Sequence, residues 1–171
     1  MWTWVQLLGF NLFWFVAVAW QHPAPLLGLL AMHGLFSPQR GRDLRLLPIA
    51  LAGCLLDALL WQLGLFEFAA GFPLWLALLW LGFALTLAHG LRWLVVLPRW
   101  QQALIGGFGG ASSYLAGAAM GAVLLPWGLW ISGGVLAVIW AVWLPVLLWA
   151  MVKLDACIPA PTGVSTGERL P

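Results

Sequence analysis

The stretch Gln102–Leu125 narrows the folds open to this chain more than any other. It reads QALIGGFGGASSYLAGAAMGAVLL, apolar throughout yet dominated by Gly, Ala and Ser. In water each Gly inside a helix costs about 1 kcal/mol relative to Ala, which argues against a helix. In a bilayer the backbone must bond to itself, and the helix is enforced. On such a helix Gly109, Ser113, Gly117 and Gly121 fall four apart on one face, and Gly106 and Gly110 form a second small pair. Small faces let a neighbouring backbone approach, which is how membrane helices pack without a hydrophobic driving force. The expectation is a membrane helix at the centre of a bundle.

Composition agrees. Of the 171 residues 64% are hydrophobic and 7% charged, against about 25% charged in a soluble domain. The chain is expected to be an all-α integral membrane protein of one domain, residues 1–153 forming the bundle and 154–171 a flexible cytoplasmic tail. No nucleic-acid partner and no cofactor is implied. Cys54 and Cys157 lie far apart in chain and context, so no disulfide is expected. Ala17-Val18-Ala19 resembles a signal-peptidase site, but no Lys or Arg precedes it and Asn11 interrupts the apolar run; a retained first helix is expected.

Six spans follow from the breaks. They cover about Trp4–Trp20, Leu26–Phe36, Leu46–Phe66, Pro73–Leu91, the Gly-rich stretch Gln102–Leu125, and Leu129–Val152 with a kink at Pro145. The second is short for a hydrocarbon core of about 30 Å and gains length if Pro23 sits in its first turn, where Pro is tolerated. Ser37–Arg45 reads as a polar loop at a water face. With the N-terminus inside, Arg40, Arg42, Arg45, Arg92, Arg99, Lys153 and Arg169, all seven Lys and Arg, fall on the cytoplasmic side. This is the positive-inside pattern. Most of the 14 tryptophans fall near a headgroup level. Trp14, Trp80, Trp140 and Trp143 lie deeper and are read as filling space beside Gly-rich helices, with a lipid or prosthetic-group cleft as the alternative.

Polar residues at membrane depth are the candidate site. Asp57 falls near the middle of the third span, where placing Asp costs about 2.5–3.5 kcal/mol. It therefore needs an interior position and a partner. Asn11, Thr86, His89, Ser112, Ser113 and Tyr114 are expected at overlapping depth, and His33 near them. The functional reading makes Asp57 and His89 an acid/base pair, with Asn11, Thr86, Ser112, Ser113, Tyr114 and Trp80 as binding residues. The structural reading makes the same groups a hydrogen-bonded network between helices. No His-x-x-x-His pair or carboxylate–His box has metal-ligand spacing, so no metal site is expected. The Gly-Gly-Phe-Gly-Gly run lacks the Lys and the preceding strand of a phosphate loop and reads as packing.

The pieces GFNLFWF, GCLLDALLWQLGLFEF, PLWLALLWLGFALTLAHGLRWL and SYLAGAAMGAV together resemble a family of small bacterial inner-membrane proteins known as domain of unknown function 2878. The resemblance covers most of the chain up to Lys153. The opening departs from the family pattern, with Leu12-Phe13-Trp14 in place of a Gln-Gly-Trp-like sequence. The resemblance implies recurrent positions at Asn11, Asp57, Pro73, Trp75, Trp80, Thr86, His89, Trp93, Tyr114 and Gly117. It also implies, through genes encoded near such proteins, a link to fatty-acid modification and light-stress response.

Three functions are therefore weighed. One is an accessory or structural protein of the inner membrane, linked to lipid or envelope metabolism. The second is a small membrane-embedded enzyme acting on a lipid. The third is a proton-coupled carrier, for which no internal repeat is visible. Expected partners are membrane lipids, a second copy of the chain, or a membrane enzyme.

Overall fold

The computed structural model describes residues 2–37 and 39–156. Among them the chain forms six long helices: α1 (Trp2–Trp20), α2 (Pro23–Phe36), α3 (Leu47–Gln62), α4 (Leu74–His89), α5 (Arg99–Ala119) and α6 (Gly128–Ala156). The expected tail from residue 157 onward, with Cys157 and Arg169, lies outside the described residues.

The breaks fall where backbone chemistry requires them. Between α1 and α2 the chain reverses in two residues. Gln21 adopts a left-handed φ of 52°, and His22 caps α2 by accepting the amide of Ala24 at Nδ1, 3.3 Å away. Pro23 occupies the first turn of α2, whose free amides need no partner there. The second helix is thus three residues longer than the apolar run from Leu26, though at about 1.5 Å per residue its 14 residues still span only about 21 Å.

Three expectations about the helices need correction. Ser37–Arg45 is not wholly loop: Arg40–Asp43 is a helical turn that leads through a 3-10 segment, Leu44–Leu46, into α3. The Gly-rich helix starts earlier, at Arg99, and stops at Ala119, because Gly121 takes a positive φ of 75° and turns the chain out of the helix. Beyond it, Leu124 exchanges two 2.9 Å backbone hydrogen bonds with Glu67, fastening the α5–α6 turn to the α3–α4 turn. The last helix runs on through Pro145 and includes Asp155, expected in the tail.

The central helix is α4, not the Gly-rich α5. Helix α4 packs against α1, α2 and α3, whereas α5 and α6 pack mainly against each other as a hairpin. Closest approach in that hairpin occurs at Gly106, Gly107 and Gly110. A Cβ on Gly106 would stand 2.4 Å from the Trp140 carbonyl oxygen, and one on Gly107 2.9 Å from that of Ala137. The other small face points elsewhere: a Cβ on Gly109 would meet nothing within 4 Å. Gln102, 2% exposed, staples the start of the hairpin to the rest. Its amide donates to the carbonyls of Leu94 and Leu97 at 2.9 and 3.0 Å, and its Oε1 accepts from Arg99 at 3.0 Å.

Two helical runs are long and apolar enough to cross a membrane, Arg40–Gln62 with 23 residues and Gly128–Ala156 with 29. Outward faces are apolar as well: Phe36, Phe108 and Trp130 are 77%, 82% and 94% exposed, with Leu8, Leu12, Leu55 and Val138 outside too.

Candidate functional site

The α5–α6 hairpin meets the other helices across a cleft, and two matching notches build its wall. On α3, Gly53 and Asp57 are one turn apart and share a face. A Cβ on Gly53 would stand 2.0 Å from the Trp80 ring, so only Gly lets that ring of α4 lie flat on α3. From there the indole Nε1 donates to Asp57 Oδ2 at 2.7 Å. On α5, Gly110 and Tyr114 have the same spacing. A Cβ on Gly110 would stand 2.1 Å from the ring of Trp140 in α6. Tyr114 then donates its hydroxyl to Asp57 Oδ1 at 2.5 Å. The two indoles stack with ring centroids 5.6 Å apart and planes 2° from parallel.

Asp57 is 1% exposed, and each of its oxygens accepts one hydrogen bond, from two different helices. A buried carboxylate is costly unless partnered, and here the partners are aromatic side chains that also line the cleft. Beside it Trp14 Nε1 donates to Ser113 Oγ at 2.8 Å and ties α1 to α5. The cleft has a volume of about 150 Å³ and a lining of Phe10, Trp14, Trp80, Phe83, Tyr114 and Trp140, with Asp57 and Ser113 as its polar points. Gly109, Ser113 and Gly117, expected to receive a neighbouring helix, instead form one side of this space. The deep tryptophans Trp14, Trp80 and Trp140 line it rather than merely filling space.

The remaining expected site residues do not converge here. Asn11 is exposed and its amide donates to the Leu7 carbonyl of its own helix at 2.8 Å. Ser112 is exposed and bonds back to Gly109 at 3.0 Å. Thr86 is buried but donates to Gly82 of its own helix at 2.9 Å.

His89 is not paired with Asp57. It ends α4 nine residues beyond Trp80, about 13 Å along the helix axis. Its Nε2 lies 2.7 Å from Oδ1 of Asp43, and the other oxygen of that carboxylate lies 3.4 Å from His33 Nε2. Ser37 donates to the same oxygen at 2.5 Å. The expected Asp–His pair therefore exists with a different aspartate, supplied by the helical turn between α2 and α3. Asp43 carries no site signal in the sequence, where a single acid among Arg40, Arg42 and Arg45 reads as part of a solvated loop. The expectation of no metal-ligand set is likewise revised: His33, Asp43 and His89 offer three donor atoms all within 4.8 Å of one another. No spacing rule shows them, since they come from three separate segments. Nearby, Arg42 forks onto Asp155 at 2.9 and 2.6 Å, and Arg92 pairs with the same carboxylate.

Fold and site together define an all-helical protein with outward apolar faces, two helical runs long enough to cross a membrane, and an aromatic cleft closed on one side by a buried carboxylate. The family model described as "Protein of unknown function (DUF2878)" matches residues 3–146, and the chain belongs to that family. No curated protein and no solved structure matches it.

Proposed function

We propose that this chain is a six-span protein of the bacterial inner membrane, with both ends cytoplasmic, that holds the apolar chain of a membrane lipid in its aromatic cleft as an accessory to lipid or envelope metabolism. Three features support the membrane assignment. The outward faces carry many large exposed apolar side chains, Phe36, Phe108, Val96 and Trp130 among them, whereas extended apolar patches are rare on soluble monomers. Except for the Gly-rich α5, the long helices are apolar on all sides, as buried or spanning helices are. The Lys and Arg residues sort to one side under the six-span topology.

The observation that carries the ligand assignment is the cleft. It is apolar and aromatic, with few polar points, the usual character of a site for a largely hydrophobic molecule. Asp57 and Ser113 set its polarity at defined points. A second reading, a membrane enzyme acting on a lipid, takes support from Asp57 and Tyr114 facing the same cleft as a hydrogen-bonded pair. The accessory reading is preferred because both Asp57 oxygens are already engaged by protein donors.

The test is the lipid content of the purified full chain, by mass spectrometry after exhaustive detergent exchange. Wild type is expected to retain lipid. Gly109→Leu should lose it while folding normally, since its Cβ enters open space in the cleft. A wild-type protein that retains none, or a Gly109→Leu variant that retains as much, would overturn the proposal.

A further inference from the structure

We propose that His33, Asp43 and His89 form a binding site for a first-row divalent transition metal ion, separate from the aromatic cleft and independent of the lipid reading. The donor set is two imidazoles and one carboxylate, drawn from α2, the Arg40–Asp43 turn and the end of α4. Both imidazoles present Nε2 to the same carboxylate, at 2.7 Å for His89 and 3.4 Å for His33, and the two rings lie 6.0 Å apart, centroid to centroid. Around a tetrahedral ion with bonds of about 2.0–2.1 Å, donor atoms stand about 3.3 Å apart. Small side-chain rotations bring the three donors to that spacing, since none is more than 4.8 Å from another.

The hydrogen bonding of the cluster is incomplete without an ion. His33 Nε2 is buried, and although it lies 3.4 Å from Asp43 Oδ2 it makes no aligned hydrogen bond to that oxygen or to any other group among the described residues. Buried polar atoms in native proteins are almost always satisfied, and a metal ion would satisfy this one. The carboxylate already has outer support, since Ser37 donates to Asp43 Oδ2 and the Ser37 amide donates to the His33 carbonyl at 2.7 Å. Partners of this kind orient ligands in known metal sites.

Three protein ligands leave at least one coordination position open. His33 and Ser37 also line a second cavity of about 310 Å³, between α1, α2 and α4, whose other walls include Phe13 and Thr86. The two-imidazole, one-carboxylate set is of the kind that binds Zn²⁺ or Fe²⁺ with room for an exogenous ligand.

The experiment uses the full chain in detergent, purified without an oligohistidine tag, stripped with chelator and dialysed against micromolar Zn²⁺ or, anaerobically, Fe²⁺. Metal content is read by elemental mass spectrometry. Wild type should bind one ion per chain. His33→Gln, Asp43→Asn and His89→Gln should each weaken binding by more than the roughly 10–100-fold that loss of an outer partner costs, and His22→Gln should not. The Co²⁺-loaded wild type should show visible bands of a nitrogen-ligated low-coordinate ion, a readout that needs no variant to fold. Absence of bound metal in wild type, a Co²⁺ spectrum of the hydrated ion, or equal binding in folded ligand variants would overturn the site.

Discussion

Replacing Gly106 with Ala tests whether the α5–α6 hairpin is held by backbone-to-backbone approach. The added Cβ would stand 2.4 Å from the Trp140 carbonyl oxygen and 2.7 Å from Leu144 Cβ. The closest ordinary carbon–oxygen contacts are about 3.3 Å, so the helices must part by roughly 1 Å. A carbonyl inside a helix cannot swing aside as a side chain can. A gap of about 0.5–1 Å forfeits a quarter to a half of the dispersion energy of the contacts it opens, and overpacking of this kind costs about 1–3 kcal/mol. Gly109→Ala is the control. It adds the same methyl to the same helix, gains the same helix propensity, and meets nothing within 4 Å. The propensity term cancels in the comparison and leaves the steric one. Unfolding of both variants in mixed micelles, followed by tryptophan fluorescence, should show Gly106→Ala less stable than Gly109→Ala by about 1–3 kcal/mol. Equal stabilities would refute close packing at Gly106.

Asp57→Leu should be less stable than Asp57→Asn, because it orphans the Trp80 and Tyr114 donors at about 1–3 kcal/mol each, whereas Asn keeps one acceptor; identical unfolding of the two variants would remove the carboxylate from the helix-joining role. A reporter fused after Pro171 should be active only in the cytoplasm, and so should one inserted in the Pro98 connection; activity on opposite sides would break the six-span topology.

Much of the helix layout is legible in the sequence because the interruptions are chemical. Pro23, Pro73 and Pro98 sit at or before helix starts, and Gly121 and Gly128 turn the chain with positive φ. What the sequence leaves open is which face of an apolar helix meets which neighbour. Gly106–Gly110 and Gly109–Ser113 are equivalent patterns on paper, and only the position of Trp140 decides that the first is a contact and the second a cleft wall. Asp57 is legible as a buried group needing partners, and Tyr114 and Trp80 are legible as candidate binding residues at its depth. Its expected pairing with His89 fails because α4 ends at His89, nine residues past Trp80, and carries that ring away from Asp57. His33 is legible as a neighbour of His89, and the two rings lie 6.0 Å apart, but Asp43 leaves no pattern, since it reaches them only through the fold of the turn before α3.

The carboxylate of Asp155 has a consequence for the order of assembly. It lies in the final turn of α6 and joins two arginines, one from the connection before α3 and one from the connection after α4. Arg42 is translated 113 residues ahead of it. During synthesis the two guanidinium groups have no carboxylate of the last helix to pair with until that helix emerges. The ring of contacts around that end can therefore close only after translation of the helices is finished, and a nascent chain halted before residue 155 would keep its earlier helices free to rearrange.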